Sequence, residues 1–155
     1  MKVREIMTTD VATVRRDASV NDIAKLMHEH NISGIPVVDD AGHAVGIVTE
    51  LDMIVRNTRL TMPAFIQILD LARIPLEMPG HYQNRLRHML GTQASDIMTK
   101  EVVSIGPGAE VEDLAEMMVK RRVNPVPVVE NGILVGIVSR ADFIRMMAHE
   151  LGNEE

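Results

Sequence analysis

Cysteine is absent from the 155-residue chain, which excludes disulfides, thiolate nucleophiles and Cys-ligated metal centres. A reducing compartment is compatible with that absence. Tryptophan is missing too, and Phe65, Tyr82 and Phe143 are the only aromatic side chains. Platforms on which nucleic-acid bases could stack are therefore nearly lacking. The formal net charge of −6 offers no basic footprint for a phosphate backbone, so nucleic-acid binding is the least favoured class. A small local site for one anion stays compatible with that charge. No segment approaches the ~18 apolar residues that suggest a membrane span. The opening "MKVREIMTTD" carries no apolar run of the signal-peptide kind. The expectation is a cytoplasmic protein with neither a membrane nor a nucleic-acid partner.

What is present is ordinary globular material, with 46% hydrophobic and 25% charged residues. Val, Ile, Leu and twelve Met must fill the interior. Methionine adapts to irregular gaps, so these side chains suit a core first and a pliable binding surface second.

The chain repeats itself. Laying Ile6 on Ile97 brings "IMTTDVATV" onto "IMTKEVVSI", "ASVNDIAKLM" onto "AEVEDLAEMM" and "IPVV" onto "VPVV". After a one-residue gap near Ala41, "VGIVTELDMI" (45–54) falls on "VGIVSRADFI" (135–144). This divides the chain into repeat 1 at 1–57, a connector at 58–94 and repeat 2 at 95–155.

Within each repeat the order predicted is strand, helix, strand, strand, helix. Val11–Arg15 and Val102–Gly106 are short β-branched runs, read as strands. Ser19–His30 opens on a capping hydroxyl and aligns Val20, Ile23, Ala24 and Met27 on one helical face, which Val111, Leu114, Ala115 and Met118 repeat. Ile35–Asp39 and Val126–Glu130 read as strands with proline near the start, where a missing N–H does least damage. They lead into strands Ala44–Thr49 and Leu134–Ser139 through "DDAGH" and "ENG", the latter a strong hairpin signal. Final helices begin near Glu50 and Arg140. One such unit buries too little surface to be secure alone, so two sharing a core explain the duplication. The fold class is α/β in the α+β sense.

At the end of the repeated phrase, Thr49 with Asp52 and Ser139 with Asp142 have capping-box spacing, and each pair could simply satisfy free N–H groups at a helix start. The same pair, a hydroxyl and a carboxylate one turn apart, could also hold the vicinal hydroxyls of a ribose, with the helix N-terminus favouring a phosphate. The two readings are not exclusive. Gly46 marks a point where something approaches the backbone closely.

Two units of this length, each with "IMT" before the first strand, an apolar-Pro-apolar strand and a closing "GIV[T/S]xxD", resemble a tandem pair of cystathionine beta-synthase (CBS) domains. The resemblance covers nearly all of the chain outside the connector. It implies two units packed by their sheets into a disc with two clefts related by pseudo-twofold symmetry. It implies an adenosine-containing regulatory ligand (AMP, ADP, ATP or S-adenosylmethionine) and no catalytic cofactor. By position, Asp52 and Asp142 would hold ribose hydroxyls, and Thr49 and Ser139 the ribose or phosphate. The backbone around Ile35–Pro36 and Val126–Pro127 would face the adenine, with Thr13 and Ser104 as outer candidates. Paired discs imply a homodimer, and the absence of a catalytic unit implies a separate regulated protein. Some family sites carry an arginine just before the apolar-Pro step. Gly34 and Pro125 stand there instead, which argues against tight triphosphate binding.

The clefts are expected to differ. Glu50 stands in the first phrase where Arg140 stands in the second, and the first helix ends in "HEHN" where its counterpart ends in Lys120, Arg121 and Arg122. These basic residues suit a helix C-terminus by the macrodipole alone. The expectation is nonetheless that the cleft bearing Ser139, Arg140 and Asp142 binds phosphate better.

In the connector, Phe65, Ile66, Leu69 and Ala72 share a helical face after Pro63, and Gln83–Leu90 reads as a second helix. It would clip the disc or a dimer seam, or dock a partner. His28 and His30 cannot share a helical face, and His81 and His88 lack a third ligand, so no metal site is expected. The hydroxyls in "MTTD" and "IMTK" have no histidine at a repeated position to activate them, and there is no phosphate-binding GxxxxGK[ST] loop. The expected function is that of a ligand sensor. The alternatives are a ligand-free structural or oligomerisation module and, ranked lower, an enzyme acting on a nucleotide.

Overall fold

A computed structural model describes residues 1–57 and 92–152. The elements in chain order are α1 (Val3–Ile6), α2 (Val20–Glu29), β1 (Gly34–Val38), β2 (Ala44–Thr49) and α3 (Glu50–Asn57). They are followed by α4 (Ala94–Ile97), α5 (Val111–Arg121), β3 (Val126–Glu130), β4 (Ile133–Val138) and α6 (Arg140–Gly152). The helices expected in the connector lie outside the described residues.

Each repeat is built on one antiparallel hairpin, β1–β2 or β3–β4. The "ENG" turn does what its composition demands, with Asn131 at φ 51° and Gly132 at φ 81°. The longer "DDAGH" turn closes differently. Asp39 Oδ1 accepts from the backbone N–H of Ala41 at 3.0 Å and of His43 at 2.9 Å, and Gly42 supplies the positive φ of 87°. Helix α2 starts where Ser19 accepts from the Asp22 N–H at 3.0 Å. Its buried side chains are Val20, Ile23 and Met27, whereas Ala24, expected on that face, is exposed and Leu26 packs instead.

The runs Val11–Arg15 and Val102–Gly106 are not strands. Each touches its hairpin through one residue only, in parallel bridges Val14–Val37 and Ile105–Val128. Val14 donates to the Pro36 carbonyl at 3.1 Å and accepts from Val38 at 2.9 Å, and Ile105 does the same with Pro127 and Val129. β-branching favours an extended backbone, but a single bridge per run is all the pairing that forms.

The opening turn of each repeat belongs to the other repeat's core. Val3 of α1 is fully buried with Leu114, Val126, Val128 and Val138, and Ile6 and Met7 pack on the same cluster. Ala94 and Ile97 of α4 are fully buried with Val14, Val20, Ile23, Ile35 and Val48. Backbone bonds fix the exchange: Val3 to Ala109 at 2.9 Å and Arg4 to Pro107 at 3.0 Å on one side, Ala94 to Ala18 at 2.8 Å and Ser95 to Arg16 at 2.9 Å on the other. Thr8 then bridges Ile137, and Thr99 bridges Ile47, each through a reciprocal pair of bonds.

This exchange accounts for the glycines of the repeated phrase. A Cβ on Gly46 would come within 2.4 Å of Met98 Sδ, and one on Gly136 within 2.5 Å of Met7 Sδ and 3.1 Å of the Thr8 carbonyl. The methionine of each "IMT" lies across the bare backbone of the opposite hairpin. Most described methionines serve packing of this kind, with Met27 buried and Met53, Met117 and Met118 against the cores, while Met1 and Met147 are exposed.

Candidate functional site

Each hairpin's second strand runs directly into a helix, and the repeated hydroxyl and carboxylate sit at that junction. Asp52 Oδ2 accepts from the Thr49 N–H at 2.8 Å and the Thr49 hydroxyl at 3.1 Å. Asp142 Oδ2 accepts from the Ser139 N–H at 2.6 Å and the Ser139 hydroxyl at 3.1 Å. Both aspartates therefore cap helices in the manner of a capping box.

The two carboxylates differ in their burial. Asp142 Oδ1 accepts from the Thr8 hydroxyl at 3.4 Å and from the Arg145 guanidinium. Asp142 is 4% exposed, the one buried charged side chain among the described residues, whereas Asp52 is half-buried. A buried carboxylate needs donors for its lone pairs, and Arg145 supplies charge as well as N–H groups.

A cavity of 540 Å³ opens beside Ser139 and Asp142, and one of 360 Å³ beside Thr49 and Asp52. Both are composite. The larger takes Ser139, Arg140, Asp142 and Arg145 from repeat 2, but Thr8, Asp10, His30, Asn31, Ser33 and Gly34 from repeat 1. The smaller takes Thr49, Glu50 and Asp52 from repeat 1, but Thr99, Glu101, Val103, Arg122, Asn124 and Pro125 from repeat 2. The exchanged opening turns cause this crossing, because Thr8 is tied to β4 and Thr99 to β2.

The crossing corrects the expected charge assignment. The basic end of α5 does not serve the Ser139–Asp142 cleft: its Arg122 lines the opposite one, and the "HEHN" end of α2 faces Asp142 through His30 and Asn31. Arg140 lines both cavities, as does Glu50. Ile35, Pro36, Val126 and Pro127 are fully buried core side chains, and the cleft walls are formed one step earlier, by Ser33–Gly34 and Asn124–Pro125. Thr13 and Ser104 are exposed and line neither cleft, since a single bridge turns Val14 and Ile105 inward and their neighbours outward. Thr8 and Thr99 are the hydroxyls that do line the clefts. The signal for them was their repetition after "IM", while Arg145 had no signal, because repeat 1 carries Val55 at the matching position.

At Gly34, before the first apolar-Pro step, an arginine is blocked sterically. A Cβ on Gly34 would lie 2.5 Å from Pro125 Cδ, so these matching positions pack on each other between the clefts. Nearby, the Asn124 amide donates to the Ser33 hydroxyl at 3.3 Å and its oxygen accepts from the Arg140 N–H at 3.0 Å. No group of three potential metal ligands occurs among the described residues. No helix among them is long and apolar enough to cross a membrane.

Residues 3–56 and 94–149 each match the pattern of the CBS domain. Protein MJ1426 of Methanocaldococcus jannaschii is 31% identical over 95% of this chain and 91% of its own. Among solved structures, the CBS domain pair of protein MJ0100, in complex with 5′-methylthioadenosine and S-adenosyl-L-methionine, superposes with a TM-score of 0.69 at 26% identity, covering 97% of this chain and 98% of that one. CBSX2, in complex with AMP, shares the fold at a TM-score of 0.78 and 23% identity, over 96% and 97% of the two chains. With two matched copies, an exchanged pair of opening turns and two clefts between them, the chain belongs to the CBS domain family as a tandem pair.

Proposed function

We propose that the protein is a regulatory sensor that reversibly binds an adenosine-containing ligand between its CBS repeats and signals to a partner protein by a shift in the pose of the two halves. The observation that carries this reading is the 540 Å³ cleft with the buried Asp142 carboxylate at its edge. That volume falls in the ~300–1,000 Å³ range of small-molecule sites. A ribose diol can take the place of the Thr8 and Arg145 donors on Asp142 Oδ1 while Oδ2 keeps its cap. Arg145, once released, is then free to meet a phosphate.

Asp10 and Glu50 line the same cleft, so a triphosphate meets carboxylates as well as Arg140 and Arg145. This favours AMP or S-adenosylmethionine over ADP and ATP. The ligands bound by MJ0100 and CBSX2 support the same choice. In this reading the protein is a binding module and not an enzyme, it works in the cytoplasm, and it forms a homodimer. The exposed Val119, Ile144, Met147 and Leu151 on α5 and α6 supply an apolar face for that dimer.

Thermal unfolding with AMP, ADP, ATP and S-adenosylmethionine tests the proposal. A ligand at a hundred times its Kd adds ~2.7 kcal/mol, or roughly 5–10 °C at ~2–4 °C per kcal/mol. That shift is expected for AMP or S-adenosylmethionine in the wild type and is absent in Asp142→Asn. The two carboxylates already act as caps, and that specific fact supports a second reading, a ligand-free structural module. It holds if no ligand moves the transition while Asp142→Asn merely lowers it.

A further inference from the structure

The two cavities are not separate. Ser33, Glu50, Asn124, Pro125 and Arg140 line both, so one wall of five residues divides them. Glu50 and Arg140 occupy matching positions, each the first residue of its helix after β2 or β4, and both are exposed. The wall therefore presents one anion and one cation to two clefts at once.

Charge does not divide evenly between two occupants. The larger cleft has Asp10, Glu50 and Asp142 against Arg140 and Arg145, and the smaller has Glu50, Asp52 and Glu101 against Arg122 and Arg140. Arg140 is counted in both. If its guanidinium turns to a phosphate in the larger cleft, the smaller keeps three carboxylates and only Arg122. If it turns the other way, the larger keeps three carboxylates and only Arg145. Two phosphates on opposite sides of the wall also repel each other. From this shared wall we infer that the clefts compete for one cation, so that an anionic ligand in either cleft weakens anion binding in the other. Arg140 is the specificity-determining residue, and Glu50 is what keeps the wall from serving both sides. An uncharged ligand makes no claim on Arg140 and escapes the competition. The inference rests on ligand binding in these clefts, as proposed above.

Coupling energies between sites commonly amount to 5–150-fold in affinity. Titration calorimetry of the full chain with AMP is expected to give one tight site per chain, with the second at least about tenfold weaker. Glu50→Arg supplies each side with its own cation and is expected to give two AMP sites of comparable affinity. Arg140→Gln is expected to weaken the first AMP about tenfold or more while leaving adenosine affinity nearly unchanged. On the wild type alone, adenosine is expected to fill two sites over the range in which AMP fills one, a comparison that needs no variant to fold. Two equal, independent AMP sites in the wild type overturn the competition, as does a single AMP site in a folded Glu50→Arg, or a single site for adenosine. Failure of the wild type and Glu50→Arg to bind AMP, adenosine or S-adenosylmethionine overturns the ligand-binding function itself, along with the inference.

Discussion

The two strand–helix junctions carry the same hydroxyl and carboxylate yet differ in how deeply the carboxylate is buried. Asp142 is buried and its two oxygens accept from the Ser139 N–H, the Ser139 hydroxyl, the Thr8 hydroxyl and Arg145. Asp52 is half-buried and takes its described bonds from Thr49. Duplication thus preserved the cap and left one copy with a buried carboxylate beside the larger cavity. Equal sequence motifs need not be equal sites, because the surroundings of each are supplied by the other repeat.

The largest expected effect separates these junctions. Asp142→Ala leaves the Ser139 N–H without its cap and takes the acceptor away from the Thr8 hydroxyl and from the exposed Arg145 guanidinium. Cap loss costs about 1 kcal/mol, and hydrogen bonds to a charged group contribute about 1.5–3 kcal/mol. A loss of roughly 3 kcal/mol by denaturant unfolding is expected. Asp52→Ala, half-buried, is expected to cost about 1 kcal/mol. Equal losses at the two sites would show that the deeper burial of Asp142 carries no extra stability.

The glycine positions give a smaller contrast. Alanine at Gly136 meets both Met7 Sδ and the Thr8 carbonyl, whose backbone is held to β4, whereas the three atoms nearest an alanine at Gly46 all belong to the Met98 side chain. Overpacking of this kind costs about 1–3 kcal/mol. Gly136→Ala is expected near the upper end and Gly46→Ala near the lower, because a thioether swings aside more easily than a carbonyl.

The hairpin turns give the smallest contrast. The Asp39 carboxylate is held below its usual range, chiefly by the backbone N–H of His43 and further by the charge of His43 and the backbone N–H of Ala41. A carboxylate with a depressed folded pKa stabilises the fold above its unfolded value of 3.8 and loses that contribution as pH falls through the folded value. The first hairpin is thus expected to loosen in acid by a route that the "ENG" turn lacks. Carboxyl titration by NMR should place the Asp39 midpoint below 3.8, and a midpoint at or above that value would contradict the hydrogen bonds.

Much of the fold was legible because it is local. The asparagine–glycine pair specifies its hairpin by backbone conformation, Ser19 specifies a helix start, and the apolar spacing of Val20, Ile23 and Met27 specifies a buried face. The runs at 11–15 and 102–106 misled because β-branching reports extended backbone and not whether a partner strand lies alongside. At the site, Thr49, Asp52, Ser139 and Asp142 were legible through repetition and spacing. Thr13 and Ser104 line neither cavity, and the alternation of faces cannot be read from a segment with one bridge. Arg145 and the allocation of Arg122 to the opposite cleft could not be read at all.

The sequence by itself determined the duplication, the type and order of most elements, and the pairing of hydroxyl with carboxylate at each junction. Each of these rests on interactions within a few residues or on comparison of one copy with the other. Only the tertiary structure decided that the opening turns change places, that Met7 and Met98 cover the glycines of the opposite hairpins, and that each cleft is walled by both repeats. The reason is burial: Val3 and Ile97 reach full burial in the other repeat's core, where they join residues such as Leu114 and Ile23. Contacts spanning so much of the chain leave no periodicity along it, so their charges and neighbours are fixed only when the two cores close.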